Sequence, residues 1–434
     1  MQEQSTPSYD DFLNRKIRRA PAVGIDVSWE QVHPLLHDWQ RLSVVWALRT
    51  GRCALFWDCG LGKTFAQVEW ARLIGGRSLI VAPLSVARQT VREARKIDVD
   101  VRYVRHGSEV DGPGLWITNY EMVEEFDPAI FDAVVLDESS ILKNEEGQRR
   151  QMLTSRFREV RHRLACTATP APNDPAEMTN HAEFLGVMSR PEMLAAYFVN
   201  DEKEWRLKGH AASAMFRWMA TWAQALRRPS DMGGSDEGYA LPELDIVGEV
   251  VHSDIDSEGQ LFATDLGGVG GRAKVRRMTL DDRVRRAIKL CDSDDEQWIV
   301  WCGLNDEARS VAAAVEGAEN VEGTMSPDAK AQALEAFQDG EIRVLVTKPS
   351  IAGFGMNFQN CARMAFVGLN DSYESYYQAI RRCWRFGQER PVRAHVIVSG
   401  LETGIVDNVR RKEAEAARMT EQLIQHMQQT RSFA

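Results

Sequence analysis

Five short, unbroken apolar runs in the first 170 residues constrain the fold of this chain more than any other feature. They are "CALFWD" (53–58), "SLIVAP" (78–83), "GLWITNY" (114–120), "DAVVLDE" (132–138) and "RLACTAT" (163–169), each bounded by turn residues. A strand with one face in water alternates apolar and polar residues, whereas a strand covered on both faces has no need to. Unbroken runs separated by helical patterns such as "KTFAQVEWARLI" (63–74) therefore predict a parallel sheet between two layers of helices. A second series repeats the pattern: "QWIVWCGL" (297–304), "RVLVTK" (343–348), "MAFVGL" (364–369) and "AHVIVSG" (394–400). The expected fold is α/β with two lobes, each a mainly parallel sheet flanked by helices.

A chain of 434 residues is too long for a single core. The expected organisation is an N-terminal tail (1–23), a first lobe (24–180), a helical extension and linker (181–240), a second lobe (241–402) and a C-terminal helix (403–434). Residues 181–230 read as all-helical, with Met215, Trp218 and Trp222 at helical spacing, as in a packed core rather than a base-stacking surface. "DMGGSDEGYALPE" (231–243) reads as a flexible linker and "LGGVGGR" (266–272) as a flexible loop.

Hydrophobic content of 44% and charged content of 27% are those of an ordinary soluble protein. No apolar run spans a bilayer, and "MQEQSTPSYDDF" lacks a signal-peptide core. Seven cysteines without a CxxC pair point to reduced thiols and away from structural zinc, so a cytoplasmic protein with no membrane partner is expected. The net charge of −10 weighs against a dedicated nucleic-acid binder, but motors need basic residues only along a track. The local clusters Arg15–Arg19, Arg149–Arg163 and Arg272–Arg286, taken singly, read as solvated helix faces.

Two stretches carry chemistry. In "FWDCGLGKTF" (56–65) a buried strand runs into a tight turn through Gly60, Leu61 and Gly62, and a helix opens at Lys63 and Thr64. That arrangement turns backbone N–H groups and a helix N-terminus toward phosphate oxygens. Lys63 would add a point charge on the β and γ phosphates, and the Thr64 hydroxyl would hold Mg²⁺. The full phosphate-loop pattern has glycine where this chain has Trp57. In "AVVLDESS" (133–140) two adjacent acids end a buried strand; Asp137 can hold Mg²⁺ and Glu138 can take a proton from attacking water.

"QAIRRCWRFGQ" (378–388), written as a helix, places Gln378, Arg382 and Arg385 on one face and Tyr377, Arg381 and Trp384 on its neighbour, with Gly387 as the stop. Positioned arginines can stabilise charge on a transferring γ-phosphate, worth roughly 10³–10⁵ in rate. They could equally grip a nucleic-acid phosphate, and spacing leaves both readings open.

With these motifs in order, the sequence resembles the superfamily-two helicases and translocases, and within them the Swi/Snf-type branch, in a compact form of the kind often carried by bacterial viruses. The resemblance runs from about Leu36 to Val398. "LHDWQRLSVVWAL" is similar to the family's N-terminal motif, whose glutamine, here Gln40, would read adenine. "DCGLGKT" matches the phosphate loop, "LIVAPLSVARQTVREARK" the motif in which Pro83 and Ser85 would face nucleic acid, and "ITNYEM" the stretch containing Thr118. "DESS" stands where "DEAH" stands, and "TATPAPN" (167–173), with Thr167 and Thr169, matches the turn that couples hydrolysis to nucleic-acid contact. "TKPSIAGFGMNFQN" (347–360), with Thr347, Ser350, Gly353, Gly355 and Asn357, and "QAIRRCWRFGQ" complete the series.

The resemblance implies two RecA-like lobes, ATP and Mg²⁺ as cofactors, Gln378 among the nucleotide-binding residues and Arg382 and Arg385 as arginine fingers. It also implies hydrolysis at the cleft between the lobes, stimulated by nucleic acid and driving movement along double-stranded DNA with low sequence specificity, in a bacterial or phage-infected host cytoplasm. Tyr373 and Glu374 replace the family's tryptophan–asparagine pair. Three alternatives stay open: a strand-separating DNA or RNA helicase, a motor subunit with protein partners in a larger DNA-processing or defence complex, and a nucleotide-gated switch that barely hydrolyses ATP.

Overall fold

Every one of the nine unbroken apolar runs becomes a strand, and every pairing in the two large sheets is parallel. The computed structural model describes residues 20–432 apart from 144–146, 202–204, 252–276, 353–356, 369–371 and 401–402. The "LGGVGGR" loop, the Arg15–Arg19 cluster, the start of the Arg272–Arg286 cluster, Gly353 and Gly355 lie outside the described residues. The chain divides into two compact units, Met1–Asp236 with Glu415–Ala434, and Glu237–Ala414.

The first unit is built on β1 (Arg52–Trp57), β2 (Arg77–Ala82), β3 (Val101–Tyr103), β4 (Gly114–Asn119), β5 (Ala133–Asp137) and β6 (His162–Cys166). A short antiparallel hairpin, β7 (Phe198–Asn200) with β8 (Trp205–Leu207), stands apart, and β9 (Ala223–Leu226) returns to the main sheet. Its order is β3-β4-β2-β5-β6-β1-β9. The interior strands of the sheet are buried almost end to end: β5 and β6 at all five positions and β1 at five of six. This order sets the carboxyl ends of β1, β6 and β5 side by side, so the loops that follow them share one crevice edge.

Residues 181–230 are not all-helical. Helices Arg190–Tyr197 and Ala212–Met219 are followed by β9, which pairs with β1 from Ala54↔Ala223 to Trp57↔Leu226. The apolar spacing reflects burial that continues past the helix end: Met215, Trp218 and Trp222 are all core residues, and Trp218 meets Trp222 edge-on at 5.4 Å.

The second unit contains β10 (Leu244–Val251), β11 (Trp298–Cys302), β12 (Ala318–Val321), β13 (Val344–Thr347), β14 (Arg363–Val367) and β15 (Val392–Ser399), in the order β10-β15-β14-β11-β13-β12. Its core packs Val300, Val346, Ala365 and Ile397 of the sheet against Val284, Ala287 and Val311 of helices Leu280–Cys291 and Asn305–Ala314. Both units are thus parallel sheets flanked by helices. The C-terminal helix Thr403–Ser432 buries Met419, Leu423, Ile424 and Met427, and Arg227 of the first unit pairs with Glu421 at 2.8 Å. Among the described residues no helix is long and apolar enough to cross a membrane. All seven cysteines are free thiols.

Candidate nucleotide site and arginine loop

The loop after β1 turns through Gly60 (φ 85) and Gly62 (φ 77), and the helix Lys63–Ile74 begins immediately afterwards. Gly62 has to be glycine twice over, because its φ is left-handed and a Cβ there would collide with Nε2 of Gln40. No side chain caps the first turn of that helix, so its leading N–H groups are presented to whatever anion the loop cradles. Lys63 Nζ donates to Trp57 O at 2.8 Å and to Asp58 O at 3.2 Å, folding the lysine back across the loop. Thr64 is half-buried.

Trp57, the departure from the phosphate-loop pattern, belongs to the sheet. It is the last residue of β1 and fully buried, with Nε1 donating to Gln224 of β9 at 3.1 Å and its ring 5.4 Å from that of Trp39. The turn proper therefore starts one residue later, at Asp58.

Gln40, on the helix Asp38–Thr50, is 4% exposed, with Nε2 donating to Leu61 O at 2.9 Å and Oε1 accepting from His37 N at 2.8 Å. Its amide is thus tied to the phosphate loop. Each atom retains one further hydrogen-bonding position for a base.

Asp137 closes β5 and is almost fully buried. Gln67, one turn beyond Lys63 on the same helix, donates to Asp137 Oδ2 at 2.7 Å, and the Glu138 N–H donates to Oδ1 at 3.0 Å. Burial pushes the Asp137 carboxyl above the usual carboxylate range, while Gln67 and the Lys63 charge pull it back. Tyr120 Oη donates to the Asp137 carbonyl at 2.7 Å. Burial, and then the charges of Asp137 and Glu138, hold that phenol well above its ordinary pKa. Glu138 is half-buried and carries a left-handed backbone, φ 51. Next to it, Ser139 Oγ lies 3.1 Å from His181 Nε2. Gln67, Tyr120, Ser139 and His181 escaped the sequence reading; only Gln67 left a signal there, its i,i+4 spacing from Lys63.

Thr167 and Thr169 follow β6 and are nearly inaccessible, the Thr167 hydroxyl accepting from Thr169 N at 3.1 Å. Two further residues expected at nucleic acid lie on strands. Thr118 lies inside β4 and is fully buried. Thr347 ends β13, fully buried, and its hydroxyl donates to Val321 O of β12 at 3.0 Å. Ser85 and Ser350 are exposed; Pro83 and Asn357 are half-buried, with Asn357 Nδ2 donating to Gln359 Oε1 at 3.2 Å. In the basic stretch after position 149, Arg150 pairs with Glu183 at 2.6 Å and Arg163 donates to Phe184 O at 2.6 Å, so these two arginines hold the unit together.

The arginine motif is also corrected. Its helix runs Tyr373–Cys383 and stops before Trp384, whose ψ of 83 leaves the helical region. Gln378 and Arg382 remain on it, both at least nine-tenths buried, but Arg385 sits in the loop that follows. Tertiary contacts outweigh the helical pattern here. Trp384 Nε1 donates to Pro242 O at 2.7 Å, Phe386 meets Tyr239 edge-on at 5.0 Å, and Gln359 Nε2 donates to Phe386 O. Gly387 (φ 91) closes this loop rather than the helix. Gln388 fastens it, donating to Gln359 O at 2.9 Å and Cys361 O at 3.0 Å. Arg381 lies among the rings of Tyr377, Trp384 and Phe386 at 5.0–5.9 Å. Tyr373 and Glu374 are buried, and Glu374 Oε1 accepts from Gln378 Nε2 at 3.4 Å.

Residues 282–387 match the family model described as the helicase conserved C-terminal domain. The chain is 27% identical over 180 residues to the mouse DNA annealing helicase and endonuclease ZRANB3, a match covering 37% of this chain and 17% of that protein's length. A solved SWI2/SNF2 ATPase core from Sulfolobus solfataricus, in complex with double-stranded DNA, aligns at a TM-score of 0.45 and 16% identity, over 86% of this chain and 90% of that one.

Proposed function

We propose that this chain, a helicase-family protein with motifs of the Swi/Snf type, is an ATP-hydrolysing motor that moves along duplex DNA. The observation that carries the reading lies within the first unit. A loop with an uncapped helix N-terminus and Lys63 stands on the same helix that, through Gln67, holds Asp137, with Glu138 next in the chain. Phosphate binding and water activation are thereby supplied by adjoining sequence elements.

In the proposed reaction water attacks the γ-phosphorus of ATP, a new P–O bond forms, the bond to the bridging oxygen of ADP breaks, and Glu138 accepts the water's proton. Lys63 and the loop N–H groups bind the phosphates, and Gln40 offers its remaining hydrogen-bonding positions to the adenine. Among the described residues no three acidic, histidine or cysteine side chains gather to cage a metal ion. Asp137 and Thr64 suit Mg²⁺ of the kind that takes most of its ligands from phosphates and water and neutralises phosphate charge. Gln378, Arg382 and Arg385 are assigned to phosphate contact, and Pro83, Ser85, Thr167, Thr169, Ser350 and Asn357 to nucleic-acid contact or coupling. The 17% share of its curated relative leaves that protein's activities outside this proposal. We place the activity in the cytoplasm.

ATP turnover measured side by side without polymer and with duplex DNA, single-stranded DNA and RNA tests the reading. Duplex DNA is expected to stimulate most. Strongest stimulation by single strands or RNA would favour a strand-separating helicase, and no turnover under any condition would remove the motor altogether.

A further inference from the structure

Glu138 holds a left-handed backbone without the freedom of glycine. For a residue with a Cβ this conformation is unfavourable and persists only where the surroundings over-determine it. Contacts on both sides of Glu138 do so. Before it, Tyr120 Oη holds the Asp137 carbonyl at 2.7 Å, and Asp137 Oδ1 accepts the Glu138 N–H at 3.0 Å. After it, Ser139 Oγ shares a hydrogen bond with His181 Nε2 at 3.1 Å.

His181 is completely buried, with the ring of Phe56 edge-on at 5.2 Å. Its helix, Met178–Leu185, grips the same segment again through Asn180 Nδ2, which donates to Leu142 O at 2.8 Å. Just before that helix, Glu177 accepts from Asn173 N at 3.0 Å and from Asn173 Nδ2 at 2.9 Å, so the helix is also tied to the turn 167–173. One short buried helix therefore connects that turn to the residue after Glu138.

We propose that His181 is a positioning residue for ATP hydrolysis: by holding Ser139 it fixes the left-handed turn at Glu138 and so aims that carboxylate at the attacking water. The inference deepens the reading above and rests on Glu138 being the base. A histidine that merely filled space would be replaced by leucine without kinetic consequence. One that positions Glu138 would not, because leucine fills the volume but cannot hold a hydroxyl.

The test uses the full chain, measuring kcat for ATP with and without duplex DNA, nucleotide affinity with a fluorescent ATP analogue, and thermal stability. His181→Leu and Ser139→Ala are each expected to lower kcat by about 10- to 100-fold, the usual effect of losing a supporting contact behind a catalytic group, with nucleotide affinity unchanged. His181→Gln, which returns a hydrogen-bonding amide, should recover part of the loss. The double variant should be no slower than the singles, since all remove one bond. Wild-type kcat in either folded variant, a parallel loss of nucleotide affinity, no recovery in His181→Gln, or additive losses in the double variant would overturn the proposal. If His181→Leu does not fold, Ser139→Ala decides alone. Glu138→Gln separates the two layers. Wild-type hydrolysis by that variant would remove the base assignment and the proposal with it, whereas an inactive Glu138→Gln beside a fully active Ser139→Ala would remove the His181 proposal alone.

Discussion

The phosphate loop and the arginine loop each turn through a positive-φ glycine beside a helix, but at opposite ends of it. Gly62 precedes the helix Lys63–Ile74, whereas Gly387 follows the helix Tyr373–Cys383. A helix N-terminus offers unpaired N–H groups and partial positive charge, so backbone alone can receive a phosphate. A helix C-terminus offers carbonyls, which repel anions, so any phosphate-directed charge there has to sit on long side chains that reach past the end. Those carbonyls are occupied from within the unit: Cys383 O accepts from Gln388 Nε2 at 3.4 Å and Arg382 O from Phe358 N at 2.9 Å. One region is thus organised by backbone geometry and the other by props, and the two should fail differently when changed.

The largest effect is expected at the backbone-organised end. Lys63→Ala removes the one cationic side chain of the loop 58–64, and turnover should fall by at least about 10³-fold in a phosphate-release assay. Turnover near wild type would remove the phosphate-loop assignment and with it one side of the comparison. Arg385→Ala comes next, at about 10³-fold in kcat if its guanidinium meets the γ-phosphate. If the loss instead appears as weaker DNA binding at unchanged unstimulated kcat, the arginine grips the polymer.

The same contrast explains what was legible in the sequence. Phosphate-loop geometry follows chain order, so the turn through Gly60 and Gly62, the helix opening at Lys63 and the strand that ends at Asp137 could be read directly. At the arginine loop, Arg385 leaves the helical face because Trp384 and Phe386 find partners at Pro242 and Tyr239, far away in sequence. Among strands the rule is similar. Interior strands of the two large sheets announce themselves as unbroken apolar runs, while the four of these sheets that escaped notice, β3, β9, β10 and β12, are the four sheet edges; the hairpin β7–β8 escaped as well. Edge strands are short or carry polar residues, as "VRY", "AENV" and "LDIVGEVV" do, and "AQAL" was hidden by the helical spacing of the tryptophans before it. The burial of Thr118 and Thr347 was not legible, because a motif gives a residue's order but not how deeply its strand lies in the sheet. His181 leaves no sequence signal, since its bond to Ser139 exists only after folding.

A smaller effect follows from what lies behind each loop. Burial lowers the His181 pKa to about 4 from an ordinary 6.5, keeping the imidazole neutral in the folded state. Below pH 6.5 the unfolded chain takes up a proton that the folded one refuses until about pH 4, so stability contributed by the neutral ring is intact above pH 6.5 and falls as pH drops through that window. The loss is about 3 kcal/mol for a shift of this size. Urea melts of wild type and His181→Gln between pH 7 and pH 4 should therefore converge as acid is added. Parallel curves would show that the buried ring is not what makes the nucleotide side acid-sensitive.

The smallest effect belongs to the props themselves. Trp384→Phe keeps an aromatic ring beside Arg381 but removes the N–H that Pro242 O accepts at 2.7 Å. One net hydrogen bond is worth about 1 kcal/mol, so the second unit should lose that much stability, seen as a modest drop in melting temperature. Arg385 follows Trp384 directly, and its own N–H reaches only Cys383 O at 3.1 Å rather than the carbonyl four residues back that a continuing helix would offer. The kinetic loss should therefore exceed what the stability change alone explains, by up to about tenfold in kcat with nucleotide affinity intact, the tenfold corresponding to about 1.4 kcal/mol of lost positioning. If Trp384→Phe lowers the melting temperature but leaves kcat at the wild-type value, the position of Arg385 does not depend on the Trp384 bond, and the arginine loop is as self-sufficient as the phosphate loop it was contrasted with.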